Sequence, residues 1–183
     1  LLGGKEHGLT PKLHADEMTG LGGAELAAEV GAVSASHLLF ASDNGLRAMA
    51  KQGVMATLLP GASFSLMTGR YADARKMISW GVSVALGTDY NPSCWIESQQ
   101  TVIALACHQM RLTQSEAITA ATINAAHAIN RAQTVGSLEA GKKADIIILN
   151  APNHRFLGYR FGTNLVDKVI KSGKLVVDEG KMV

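Results

Sequence analysis

The sequence predicts an α/β fold, part of a parallel barrel followed by a small β-rich, sandwich-type unit. Three observations predict it. Between Leu13 and about His127, short apolar runs alternate with helical patterns. Glycines stand where the helices should stop, at Gly31, Gly53 and Gly81. Beyond Asn130 the texture changes to glycine-rich turns and short runs of Ile, Leu and Val. Strand, helix, glycine, strand, repeated, is the pattern of βα units on a parallel sheet. We place the barrel part in residues 1–130 and the β-rich unit in residues 131–183.

In chain order, Lys12-Leu13-His14 reads as the end of a strand, and a helix from Gly23 to Val30 stops at Gly31. Val33 to Phe40 reads as the next strand. Ser42 suits an N-cap, Leu46, Met49 and Ala50 follow at helical spacing, and Gly53 suits the stop. Val54 to Leu59 is a third strand, ended by Pro60-Gly61. A helix over Ala74, Met77 and Ile78 stops at Gly81, and Val82 to Leu86 is a fourth strand. Glu97 to Met110 reads as a helix. Thr113-Gln114-Ser115-Glu116 is a capping box that starts one further helix over Ile118, Ala121 and Ala125. In the β-rich unit, Asp145 to Leu149 is a strand, and Val169-Ile170 and Leu175-Val176-Val177 flank Ser172-Gly173 as a hairpin.

Composition narrows the class. With 47% hydrophobic and 17% charged residues among 183, the chain can fill a packed core and is no disordered tail. The net charge is +2 and the basic residues are scattered, with no basic stripe interleaved with aromatics, which argues against a nucleic-acid partner. No apolar run approaches a membrane span, and the first residues lack the basic and apolar regions of a signal peptide. Cys94 and Cys107 make no disulfide framework. The expectation is a cytoplasmic protein with reduced thiols that acts on a small molecule. The chain begins without Met, which leads us to expect a truncated one.

The residues that can carry chemistry cluster at strand ends. His14 ends the first strand pattern and Glu17 follows it. His37 falls within the second, and Asp89 ends Val82-Ser83-Val84-Ala85-Leu86-Gly87-Thr88-Asp89. Three successive βα units thus offer titratable groups at one rim, where parallel barrels build their sites. Imidazole nitrogens and carboxylate oxygens there suit a zinc-like ion with a bound water, and a neighbouring carboxylate or imidazole can move protons. Singly, each group has a plainer reading: a hydrogen-bonded structural histidine, a turn starter before Asn91-Pro92, a first-turn acid. Together they favour a site. His7, His108, His127 and His154 have weaker claims. Cys107 reads as core, and Cys94 as a spectator thiol close to the Asp89 loop.

Longer stretches carry a resemblance. Lys12-Leu13-His14-Ala15-Asp16-Glu17, His37-Leu38-Leu39, Leu58-Leu59-Pro60-Gly61-Ala62-Ser63-Phe64-Ser65-Leu66, Thr88-Asp89-Tyr90-Asn91-Pro92, and Tyr159-Arg160-Phe161-Gly162 with Asn164-Leu165-Val166 resemble motifs of the imidazolonepropionases, within the metal-dependent amidohydrolase superfamily. The histidine and aspartate are generic to the superfamily; the Leu-Leu-Pro-Gly stretch and the Tyr-Arg-Phe-Gly tail are more specific. The resemblance implies the C-terminal half of a (β/α)8 barrel with a small β domain. It implies His14 and Asp89 as ligands of zinc or iron, and Glu17 as a contact to the imidazolone ring that helps activate water. It implies His37 as the residue that handles a proton or polarises the carbonyl, and Asn91 and Ser93 as substrate-binding positions. The reaction implied is hydrolysis of 4-imidazolone-5-propanoate to N-formimidoyl-L-glutamate, by a homodimer when the protein is complete.

The chain departs from that family at Ser36, where an acid is usual, and at Phe40, where a second histidine is frequent. Ser93 follows Pro92 directly, which shortens the loop by one residue. The family's H-x-H ligand pair, and its Arg and Tyr for the propanoate tail, have no counterpart in these residues. A barrel of this type takes about 250 residues. We therefore expect a portion of an enzyme that is inactive alone and binds metal weakly. The rival expectations are another amidohydrolase such as an aromatic deaminase, a non-catalytic amidohydrolase-like subunit, and a plain α/β domain.

Overall fold

In the computed structural model, which describes residues 1–183, a short helix α1 (Leu2–Glu6) leads into four βα units. Strands β1 (Lys12–Ala15), β2 (Ser34–His37), β3 (Met55–Leu58) and β4 (Val84–Leu86) form a parallel sheet in the order β1-β2-β3-β4. Helix α2 (Gly23–Glu29) links β1 to β2, and α3 (Asp43–Gln52) links β2 to β3. The short α4 (Pro60–Ser65) and α5 (Ala74–Ser79) link β3 to β4. Antiparallel pairs can turn within two residues, but parallel neighbours need such crossovers, so the helix–glycine spacing of the sequence dictates the sheet.

Alternation along the strands divides the sheet into two faces. Leu13, Ala35, Ala56 and Val84 stand side by side in register and join the main core with Ala24, Ala27, Leu46, Met49 and Met77 from the helices. Burying each of the larger side chains contributes roughly 1.5–3 kcal/mol. Helix α2 lies so close that a Cβ on Gly23 would stand 2.7 Å from the Ala15 Cβ. The next register row, His14, Ser36, Thr57 and Ala85, occupies the opposite face, which is the polar one.

The helix ends follow the local chemistry. The Ser42 hydroxyl accepts the Gly45 N–H, and Gly53 closes α3 at a φ of 68°, where only glycine is unstrained. Helix α6 (Gln99–Gln109) precedes α7 (Gln114–Ala121), which opens on the predicted capping box. The single helix expected from Thr113 through Ala125 is two. Thr122 leaves the helical region with φ −121° and ψ −95°, and α8 (Ile123–His127) follows. The Thr122 hydroxyl donates to the Ile118 carbonyl at 2.7 Å, which closes the first helix. The Asn124 side chain donates to the Val84 carbonyl at 2.8 Å, which ties the second to β4. Pro60-Gly61 ends β3 as expected, but it also begins α4, with the proline in the first turn.

Glu116 does more than cap. Its two carboxylate oxygens accept from Arg75 at 2.7 and 2.8 Å, joining α7 to α5. Arg75 first, and then the Thr113 contacts, hold its carboxyl at about 2 against an ordinary 4.5. A carboxyl whose folded pKa is depressed stabilises fully above its unfolded value and loses that contribution as pH falls through the folded one. The acid window is therefore from about 4.5 down to about 2. Both side chains are more than a third exposed, so solvent screening limits the pair to roughly 1 kcal/mol or less. In urea titrations, Glu116→Gln should narrow the drop in unfolding midpoint across that window; an unchanged drop would count against the pairing.

The second sheet is antiparallel, in the order β5 (Ile146–Leu149), β6 (Val166–Lys171), β7 (Lys174–Asp178), β8 (Lys181–Met182). Ser172 and Gly173, with φ of 50° and 81°, make the predicted two-residue turn between β6 and β7. In this chain the β-rich unit is one sheet of four strands. Helix α9 (Phe156–Tyr159) lies between β5 and β6 and packs on α6, where a Cβ on Gly158 would meet the Cys107 sulfur at 2.6 Å. A groove of about 1410 Å³ opens among α6, α7, α8 and β5, lined by Ile103, Ile118, Ile123, Ile129, Ile146 and Leu149.

Candidate metal centre

The strands end in unusual backbone. Asp16 after β1, His37 and Leu38 at the end of β2, and Asp89 after β4 all have positive φ, at 52°, 73°, 61° and 55°. For non-glycine residues this conformation costs on the order of 1–3 kcal/mol each, and it persists only where the surroundings enforce it. It explains why β2 stops at His37 instead of running to Phe40 as the apolar pattern suggests. Such strain concentrates at functional sites.

Asp16 is the residue that enforces it on the β1 side. Its carboxylate is buried and accepts three backbone N–H groups, from Leu21 at 3.0 Å, Gly23 at 3.1 Å and Ala24 at 2.9 Å. Its carbonyl accepts the Phe40 N–H at 2.9 Å. The chain thereby folds back on itself between β1 and α2, and Glu17 swings beside His14. The sequence does not single out Asp16, because its partners lie five to eight residues ahead in a stretch with no regular pattern.

The four expected groups come together. His14 Nε2 lies 2.8 Å from Glu17 Oε2, and His37 Nδ1 lies 3.4 Å from Glu17 Oε1. His37 Nε2 lies 3.9 Å from Asp89 Oδ2, and the two imidazole rings are 4.2 Å apart between centroids. The contributing strands are β1, β2 and β4, so the units are not all successive as expected: β3 intervenes and ends in Pro60-Gly61, which has no titratable group to offer. His37 is the buried member, with its side chain 2% exposed, whereas His14 is 67% exposed on the open side.

Neither ring nitrogen of His37 has a hydrogen-bond partner. A buried, unpartnered nitrogen costs about 1–3 kcal/mol, which asks for a further ligand there. Burial lowers the His37 pKa, and His14 adds to this against the opposing pull of Glu17 and Asp89, so the ring is neutral at neutral pH. Neutral imidazole is the form that binds metal. Ligand atoms of His14, Glu17 and His37 all lie within 4.8 Å of one another. Atoms around a tetrahedral zinc at roughly 2.0–2.2 Å stand roughly 3.3–3.5 Å apart, so these three groups can close on such an ion with small side-chain adjustments, whereas Asp89, expected as a ligand, lies outside this set and approaches His37 alone.

Asn91 and Ser93 lie in the loop that carries Asp89. The Asn91 amide donates to the Asp89 carbonyl at 2.6 Å and accepts from the Ser93 and Cys94 N–H groups at 2.8 and 3.2 Å. It shapes the turn, and Ser93 is exposed on it. Cys94 is buried with Leu59 and Ala62. The other histidines stay apart: His154 bonds to Ser115 at 3.2 Å, and His108 packs on Phe161. None of His14, Glu17, His37 or Asp89 lines the large groove.

Residues 10–176 match the family model described as the amidohydrolase family, and the chain belongs to that family. Over 180 residues it is 60% identical to an imidazolonepropionase of Geobacillus thermodenitrificans (strain NG80-2) and 54% identical to one of Alkaliphilus metalliredigens (strain QYMF). Those matches take in 98% of this chain but only 42% and 43% of the relatives' own length. Among solved structures, an adenosine deaminase from Xanthomonas campestris with bound zinc superposes with a TM-score of 0.84 at 21% identity, over 100% of this chain and 48% of that one. A triazine hydrolase variant gives 0.81 at 18% identity, over 100% and 46%. At such identities the likeness speaks for the fold. No helix is long and apolar enough to cross a membrane.

Proposed function

We propose that these residues supply one side of the active centre of an imidazolonepropionase, which opens the ring of 4-imidazolone-5-propanoate by hydrolysis to N-formimidoyl-L-glutamate. The convergence of His14, Glu17, His37 and Asp89 at one end of the parallel sheet carries this reading. The identity to the relatives narrows the substrate. Residues 1–130 supply half of a barrel and residues 131–183 a small β domain, with the rest of the centre coming from the portion of the relatives that this chain does not match. The protein works as a cytoplasmic homodimer.

His14, with Asp89 turned in from its place beside His37, would hold the ion, zinc or iron, since imidazole and carboxylate donors accept both. When bound, the ion lowers the pKa of water and steadies a developing oxyanion on the ring carbonyl. Glu17, beside both imidazoles, accepts the proton from water and contacts the ring. His37 stands between Glu17 and Asp89, where a neutral ring can take a proton and pass it to the departing ring nitrogen.

Zinc binding by the 183-residue chain tests the ligand set. His14→Ala and Asp89→Ala should each lower affinity by at least about tenfold, read by competition with a chromogenic chelator. Affinity unchanged in both variants would remove the centre. The chain joined to the remaining portion of a relative should release N-formimidoyl-L-glutamate, and the chain alone should not. Turnover of an aromatic amine instead would move the protein to the deaminases.

A further inference from the structure

Glu17 and His37 stand close enough to His14 to do more than move protons. Glu17 lies between the two imidazoles, with Oε2 2.8 Å from His14 Nε2 and Oε1 3.4 Å from His37 Nδ1. One ligand atom from each of these three side chains falls within 4.8 Å of the other two, and Asp89 contributes none to the set. Two imidazoles and one carboxylate are a donor set that zinc accepts, with a fourth position left for water. His14, 67% exposed, stands on the side from which an ion can enter.

His37 adds a separate observation. Its side chain is 2% exposed, and neither ring nitrogen has a hydrogen-bond partner. A neutral imidazole carries a lone pair on one nitrogen and a proton on the other, so two partners of different kinds are missing. Nδ1 approaches Glu17, and the His14 ring lies 4.2 Å away between centroids. Nε2 approaches Asp89, 3.9 Å from Oδ2. An ion on the Nδ1 side takes the lone pair and leaves the Nε2–H to donate to the Asp89 carboxylate. Metal-bound histidines commonly have such a carboxylate on the other nitrogen, where it fixes the tautomer and the ring. One ion thus satisfies both orphaned nitrogens of the buried ring.

We propose that this chain holds a zinc ion in a position of its own, between His14 Nε2, Glu17 and His37 Nδ1, with Asp89 as a positioning residue that accepts the His37 Nε2–H. This goes beyond the reading above, in which Asp89 turns in to the ion and Glu17 and His37 handle protons. The two arrangements share His14 and exclude each other, because a Glu17 carboxylate neutralised by the ion is a poor base for water. The three-residue position is the one open to residues 1–183, among which no H-x-H pair competes for the ion.

Zinc affinity of the 183-residue chain, read by chelator competition, tests the proposal together with histidine ¹⁵N NMR. His14→Ala, Glu17→Gln and His37→Leu should each weaken zinc binding by at least about thirtyfold. Asp89→Asn keeps an oxygen that accepts the Nε2–H, so it should cost less than about fivefold. In the zinc-loaded chain, the spectra should show His37 bound through Nδ1 and protonated at Nε2. That result is read on the unaltered chain, so it decides even where a variant fails to fold; thermal midpoints without zinc identify such a variant. Affinity within about twofold of the unaltered chain in folded Glu17→Gln or His37→Leu overturns the proposal. So does His37 bound through Nε2, or an Asp89→Asn loss as large as that of His14→Ala. Losses confined to His14→Ala and Asp89→Asn overturn it and leave the His14–Asp89 reading standing. Unchanged affinity in all four variants overturns both.

Discussion

Asp16→Ala should lower stability by about 3 kcal/mol, a large effect for one polar side chain. The carboxylate accepts N–H groups from Leu21, Gly23 and Ala24, and it is buried. Hydrogen bonds to a charged group are each worth about 1.5–3 kcal/mol, though three on one acceptor do not add. Alanine leaves the amides at the start of α2 without an acceptor and the Asp16 backbone at a φ of 52° with nothing to enforce it. Asp16→Asn keeps one acceptor oxygen and loses the charge, so it should fall between. The urea midpoint should shift while its slope stays constant, because the exposed surface is unchanged. A loss below about 1 kcal/mol for alanine would show that water replaces the carboxylate at little cost. The same variant should weaken zinc binding, since Asp16 fixes the turn that carries Glu17 toward His14.

That contrast between Asp16 and its neighbours explains what the sequence reveals and what it conceals. The Ser42 cap, the Gly53 stop, the Thr113–Glu116 capping box and the Ser172-Gly173 turn are set by chemistry within a few residues, so they are legible. The break at Thr122 has a local part, its hydroxyl on the Ile118 carbonyl, but the docking of the second helix depends on Asn124 reaching the Val84 carbonyl, forty residues back, which no local pattern encodes. His14, Glu17, His37 and Asp89 stand out because polar groups at the ends of apolar strands are conspicuous. The left-handed backbone at Asp16, His37, Leu38 and Asp89 does not, because none of those positions is a glycine that would mark it.

His37→Leu should separate stability from function. Leucine is of similar size, has no polar atoms and suits a side chain that is 2% exposed. It removes two buried nitrogens that the folded chain leaves unpartnered. Replacing a buried polar group of that kind with an apolar one is often neutral or stabilising, so the unfolding free energy should hold or rise by up to about 2 kcal/mol. The left-handed φ of 73° is kept in both forms, and leucine, less suited to it than histidine, gives back part of that gain. In the complete enzyme, removal of the group between Glu17 and Asp89 should reduce kcat by roughly 10²–10⁴-fold, the usual contribution of a positioned proton carrier. Urea titration and single-turnover kinetics read the two effects independently. If His37→Leu cost more than about 1 kcal/mol of stability, the imidazole would be a structural hub and its unpartnered nitrogens no sign of function. If stability held and turnover also survived, the proton would travel another way, with Glu17 the nearest carboxylate to carry it. Stability retained and turnover lost is the result expected of a side chain kept in a strained, unsatisfied position for the reaction it serves.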